Sequence, residues 1–185
     1  WGVPGLPYDA PDRFAMLLLN VYLGGGMSST LFQEIREKKG LAYTVYSNVA
    51  AFVDSGMFTI YAATGMSQVA LCLRLIEECV AKTERDFLKK DDLQMIKENL
   101  KGTILLAADD VENRMSSIAK NEIVHRMYFT PEQICRLIDA VTAADIRRVA
   151  RKLFKADRSI AMLGPKPPKA LRDKLPFEFP ARFTR

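Results

Sequence analysis

The sequence predicts an α+β fold, a two-layer sandwich in which a small, mostly antiparallel sheet packs on helices. Three observations lead there. Two runs rich in β-branched and aromatic residues, 42–53 and 57–63, flank Asp54-Ser55-Gly56, the composition of a hairpin turn. Apolar residues recur at helical spacing on both sides of that hairpin. The 185 residues, 49% hydrophobic and 26% charged, suit one domain with a sizeable core.

The elements follow in order. Asp9 and Pro11 look like a helix start, with Asp9 as cap and Pro11 in the first turn. Phe14, Leu17, Leu18, Val21 and Tyr22 then mark one helical face, and Gly24-Gly25-Gly26 ends it. A second helix is expected from Ser28 to Lys39, with Thr30 and Gln33 spaced as a capping box. Lys38 and Lys39 suit the negative end of its dipole, and Gly40 is a natural C-terminal cap.

After the hairpin, Val69, Leu73, Ile76 and Val80 mark a long helix, and Leu93, Ile96, Leu100 and Ile104 the next. Met115, Ile118 and Ile123 mark a more ragged one. Thr130-Pro131 opens a short helix with Gln133 in the capping-box position, and Thr142 opens another carrying Ile146, Val149 and Leu153. Residues 158–163 read as a closing strand, and the Pro-rich stretch 165–185 as an irregular tail on the same domain, 1–164. The sheet is narrow for so many helices, which a further strand before Trp1 would explain. The start at Trp1-Gly2-Val3-Pro4 carries no signal-peptide pattern and reads as a piece of something longer.

Composition narrows the function classes. No apolar run reaches membrane-spanning length; the longest candidate, 14–23, is broken by Asn20. The net charge of +5 comes from Lys and Arg spread along the chain with acidic residues among them, a solvated surface with no nucleic-acid footprint. Cys72 and Cys79 stand two turns apart on one predicted helix, roughly 10 Å, too far for a bridge. Cys135 completes the three, and no C-x-x-C pair exists. The one histidine, His125, shares a helix with Glu122, which gives at most two metal ligands where structural zinc needs four. Neither H-x-x-E-H nor H-E-x-x-H occurs, and Gly24-Gly25-Gly26 lacks the Gly-Lys-Ser/Thr order of a phosphate loop.

The informative segment runs from Leu23 through the glycines, Met27-Ser28-Ser29, Arg36 and Gly40 to Tyr43, and continues through Tyr46-Ser47, Asp54-Ser55-Gly56 and Met162-Leu163-Gly164. It resembles the second, C-terminal domain of the pitrilysin-type zinc metallopeptidases, and looks most like bacterial relatives of the mitochondrial processing peptidase. The resemblance implies a LuxS/MPP-like metallopeptidase domain. Zinc would be bound by an upstream N-terminal domain or a partner subunit, with none in this chain. Arg36 and Tyr43 fall on the family's Arg and Tyr that hold the substrate backbone beside the zinc. Gly24, Gly25, Gly26 and Ser28 would lie on the substrate side, the glycines allowing close approach of a peptide backbone. Thr30 departs from the pattern, since many relatives carry Arg there.

The chemistry of that pair is sensible by itself. Arg36 would end a helix, Tyr43 would begin a strand, and Gly40 would turn the chain between them. An Arg is always charged and donates through a planar fork, and a Tyr hydroxyl can donate to a carbonyl becoming an oxyanion. The expected function is thus part of a zinc endopeptidase acting on peptides or presequences, inactive alone. It would work as a homo- or heterodimer in the bacterial cytoplasm, with no nucleic-acid or membrane partner. The alternative is a non-catalytic core or assembly subunit of the same fold. A nucleic-acid module is a weaker third reading, with no stacking-aromatic or recognition-helix signature behind it.

Overall fold

The computed structural model of the chain describes residues 1–165 apart from the His125 side chain. Strand β1 (Gly2–Pro4) leads into helix α1 (Arg13–Gly24). A short helical segment containing a π-helical stretch (Phe32–Glu37) follows, then strands β2 (Ala42–Ala51) and β3 (Gly56–Thr64). A 3₁₀ turn (Met66–Gln68) opens into α2 (Val69–Arg85). Four further helices complete the chain: α3 (Lys90–Ala108), α4 (Val111–His125), α5 (Pro131–Ala140) and α6 (Ala143–Phe154).

The sheet has the order β1-β3-β2, antiparallel throughout. Its register sorts the side chains. Val45 faces Ala62, Ser47 faces Ile60 and Val49 faces Phe58 on the covered side, where Val45, Ser47, Phe58 and Ile60 are buried. Tyr46 faces Tyr61 and Ala50 faces Met57 on the other side, where Tyr46, Tyr61 and Met57 are exposed. One sheet face therefore packs on helices, as an antiparallel sheet permits, and the opposite face is open among the described residues.

Helix α1 lies against β2 and also touches α6 and α3. Leu18, Leu19 and Leu23 from α1, Ile76 from α2, Ile138 from α5 and Ile146 and Val149 from α6 are fully buried together with Phe58. Phe154 meets the rings of Trp1 and Phe58 edge-on, at 5.9 and 5.5 Å between centroids, and so fastens the end of α6 to the sheet. Arg148 of α6 reaches Asp12 at the mouth of α1 and Asp145 in its own first turn, both at 2.7 Å. The Nε groups of Arg147 and Arg151 donate to the Glu84 carbonyl near the end of α2, at 3.2 and 3.0 Å. Cys72 and Cys79 are buried free thiols, and burial, with the Glu34 carboxylate beside it, pushes Cys79 up to about 11.

Several boundaries differ from the sequence expectation. Helix α1 begins at Arg13 with Asp12 as its N-cap residue, whose carbonyl accepts from the Met16 N–H while its carboxylate goes to Arg148, and Asp9 stays outside the helix. The Thr30–Gln33 capping box does not form: Gln33 Nε2 donates instead to the Met27 carbonyl at 2.7 Å. Residues 158–163 make no strand, only one bridge in which Ser159 and Gly2 exchange backbone hydrogen bonds at 2.8 Å. Strand β1 was not expected at all; three residues with two Gly or Pro among them carry no alternation to read. The capping boxes at Thr130 and Thr142 are present, the second with Asp145 as the returning acceptor. The tail expected over 165–185 lies almost wholly outside the described residues.

Two outcomes test this packing. A Cβ on Gly24 would lie 2.2 Å from the Ser47 backbone nitrogen, whereas one on Gly26 meets nothing within 4 Å. Chemical denaturation should therefore show Gly24→Ala losing about 1–3 kcal/mol and Gly26→Ala about 0.5 kcal/mol or less. The Asp145 carboxyl is held down to about 2, first by the Thr142 hydroxyl and then by Arg148. A depressed carboxylate stabilises the fold above its ordinary value of 3.8 and loses that contribution as pH falls towards 2. Asp145→Asn should accordingly flatten the fall in melting temperature between pH 4 and pH 2, followed by circular dichroism.

Candidate functional site

The site is built from the end of α1 to the start of β2. Gly24 is buried against Ser47, whose hydroxyl donates back to the Asn20 carbonyl at 3.1 Å and to its Oδ1 at 2.7 Å. The absence of a side chain at Gly24 thus lets α1 and β2 touch. Gly25, Gly26, Met27 and Ser28 form an exposed turn beyond that contact. Ser29, buried, closes the turn by donating from its backbone N–H and its hydroxyl to the Gly26 carbonyl.

The next helix is widened. The Lys38 N–H reaches the Gln33 carbonyl at 3.0 Å, a five-residue step that gives the π-helical stretch. It then stops sharply. Gly40 takes a φ of +60°, its N–H donates to the Arg36 carbonyl at 2.9 Å, and the Leu41 N–H reaches the Ile35 carbonyl at 3.0 Å. The Gly40 bond is the single closure of an αL cap, the Leu41 bond is a wider one enclosing it, and the turn depends on a left-handed residue at that position. Leu41 and Ala42 go straight into the core and anchor the bend.

Strand β2 opens on an irregularity. Ala42 pairs with Thr64 and Thr44 with Ala63, which leaves Tyr43 as the extra residue of a bulge. Its ring stands 84% exposed. The Arg36 guanidinium carbon lies 5.9 Å from the Tyr43 ring centroid and 4.9 Å from that of Phe32, one helical turn back. Arg36 and Tyr43 are thus brought together and both face solvent. Arg36 has no carboxylate partner among the described residues; Lys38 takes Glu34, at 2.7 Å. Two aromatic faces hold the cation and leave its N–H donors unspent.

Such a guanidinium can bind a carboxylate or a carbonyl, and the neighbouring phenol can donate to the same group. Zinc does not fit here: among the described residues no three His, Cys, Asp or Glu side chains gather as a metal site. The His125 side chain, paired on paper with Glu122, lies outside the described residues. Of the substrate-side residues expected from the sequence, Gly25, Gly26 and Ser28 are exposed, and Gly24 is buried as a packing contact. Phe32 was missed, although its spacing of four from Arg36 on a helix was a readable signal. The bulge at Tyr43 left no such signal.

Residues 1–100 match the family model described as the peptidase M16 inactive domain. The chain belongs to that family. It is 37% identical, over 89% of its length, to an uncharacterized zinc protease of Bacillus subtilis, YmxG, of which it spans 40%. It is equally 37% identical, over 94% of its length, to an uncharacterized zinc protease of Streptomyces coelicolor, spanning 37% of that protein. The chain therefore spans about two fifths of the curated relatives it matches. A conserved protein from Enterococcus faecalis superposes with a TM-score of 0.72 at 26% identity, over 82% of this chain and 36% of the other. A peptidase M16 inactive domain from Pseudomonas fluorescens gives 0.74 at 24% identity, over 82% and 37%, which is a likeness of fold. The chain is an α+β domain of the peptidase M16 inactive-domain family, and its sequence holds no H-x-x-E-H motif.

The bend at Gly40 is directly testable. Gly40→Ala meets no atom within 4 Å, so its cost is backbone strain alone, about 1–2 kcal/mol in urea denaturation. Gly40→Asn, which tolerates the left-handed region, should lose clearly less.

Proposed function

We propose that this domain grips an extended peptide substrate for a zinc endopeptidase whose metal is held by another domain or subunit. The observation that supports it best is the exposed pairing of the Arg36 guanidinium with the Tyr43 ring across the Gly40 bend. In this reading Arg36 takes a backbone carbonyl or carboxylate of the peptide. Tyr43 donates from its hydroxyl to a carbonyl oxygen as charge develops on it. The domain positions the chain and stabilises charge, and it hydrolyses nothing by itself.

The names of the relatives, zinc proteases in Bacillus and Streptomyces, support the peptidase side of this reading. The family implies an N-terminal catalytic domain as partner. Processing of presequences, assembly as a homo- or heterodimer and a bacterial cytoplasmic setting belong to the same proposal. No helix among the described residues is long and apolar enough to cross a membrane.

The test is made in the complete zinc peptidase that carries this domain. Arg36→Ala and Tyr43→Phe should each lower kcat/KM on a quenched fluorescent peptide by about 10²-fold or more, with zinc content unchanged. Arg36→Lys should not restore activity, because an ammonium lacks the planar fork. Full activity in both the Arg36 and Tyr43 variants would refute the assigned roles.

A further inference from the structure

We infer that the open face of the sheet beside Arg36 and Tyr43 selects the peptide it receives, taking an aromatic or long aliphatic side chain on the stacked rings of Tyr46 and Tyr61. The inference rests on the reading of Arg36 and Tyr43 as a peptide grip and adds a preference to it.

Tyr46 and Tyr61 are cross-strand partners whose rings lie 5.2 Å apart and 27° from parallel. They stay 44% and 51% exposed, so the pair presents a flat apolar surface with hydroxyl tips in water. Met57, also exposed, lies on the same face. The outward positions from Thr44 to Ala50 and from Met57 to Ala63 hold no Asp, Glu, Lys or Arg. A charged side chain laid on this face would give up water for no ionic partner, whereas an apolar ring would gain contact.

The bulge makes this face continuous with the grip. Ala42 points into the core and Thr44 pairs outward with Ala63, so the extra residue Tyr43 emerges on the open side. At that end stands Arg36, without a carboxylate among the described residues. Charge complementarity therefore sets the occupant: an extended peptide with a carbonyl or carboxylate at the guanidinium and an uncharged ring on the tyrosines. Strand spacing, with alternate side chains on one side, suits a peptide laid along such a surface.

The test measures binding to this chain of labelled seven-residue Ser/Ala peptides whose central residue is phenylalanine, glycine or glutamate, by fluorescence anisotropy. The phenylalanine peptide should bind about tenfold more tightly than the other two. Joint Tyr46→Ser and Tyr61→Ser substitution should erase that preference. Joint Tyr46→Phe and Tyr61→Phe should keep it, and Arg36→Ala should weaken all three peptides by a common factor. Amide shifts of the unaltered ¹⁵N-labelled chain serve as a second measure that needs no variant, and the phenylalanine peptide should perturb β2 and β3.

Equal binding of the three peptides, a preference that survives the serine variants, or shifts confined to α3 and α4 would overturn the inference while leaving the grip intact. Binding indifferent to Arg36→Ala would instead remove the underlying reading, and no binding of any peptide at millimolar concentration would remove both.

Discussion

The left-handed bend at Gly40 is the constraint on which the rest of the site hangs. A helix ending in the right-handed region would leave its last carbonyls unmet and carry the chain onward along its own axis. With φ at +60° the N–H groups of Gly40 and Leu41 turn back onto Arg36 and Ile35, and the chain reverses into β2. Arg36 and Tyr43 then stand on the two arms of one bend. Their closeness is a property of backbone geometry before it is one of side-chain attraction, since an exposed cation–ring contact contributes only about 0.5–1 kcal/mol.

The bend holds its place because both arms are anchored. Ile35 before it and Leu41 and Ala42 after it are buried, and Thr64 on β3 donates its hydroxyl to the Leu41 carbonyl. Upstream, Gly24 brings α1 into contact with Ser47 of β2, so the helix entering the site and the strand leaving it form one rigid corner. The residues facing solvent between these anchors, the 25–28 turn, Arg36 and Tyr43, are free of core-packing duties.

A division of labour between the sheet's two faces follows. The inner face carries the apolar residues that α1, α2 and α6 cover, and a lone Ser47 there is satisfied by Asn20. The outer face is aromatic and uncharged, and no described element covers it. The absence of charge makes this face different in kind from the helices, whose outer sides carry most of the Lys, Arg, Asp and Glu.

The amino-acid pattern alone determined the α+β class, the hairpin at Asp54-Ser55-Gly56, the helices from α2 onward, the caps at Thr130 and Thr142 and the role of Gly40, because each of these is set by local chemistry: periodicity, capping atoms, or a φ that only glycine adopts freely. Tertiary structure decided the rest. The Asp12 carboxylate serves Arg148, distant in sequence, and caps no backbone N–H; 158–163 stayed out of the sheet apart from Ser159; β1 formed because β3 offered a partner; and the bulge that turns out Tyr43 arose from the register of β2 on β3. These are contacts between segments far apart along the chain, and no local window holds both halves of such a contact.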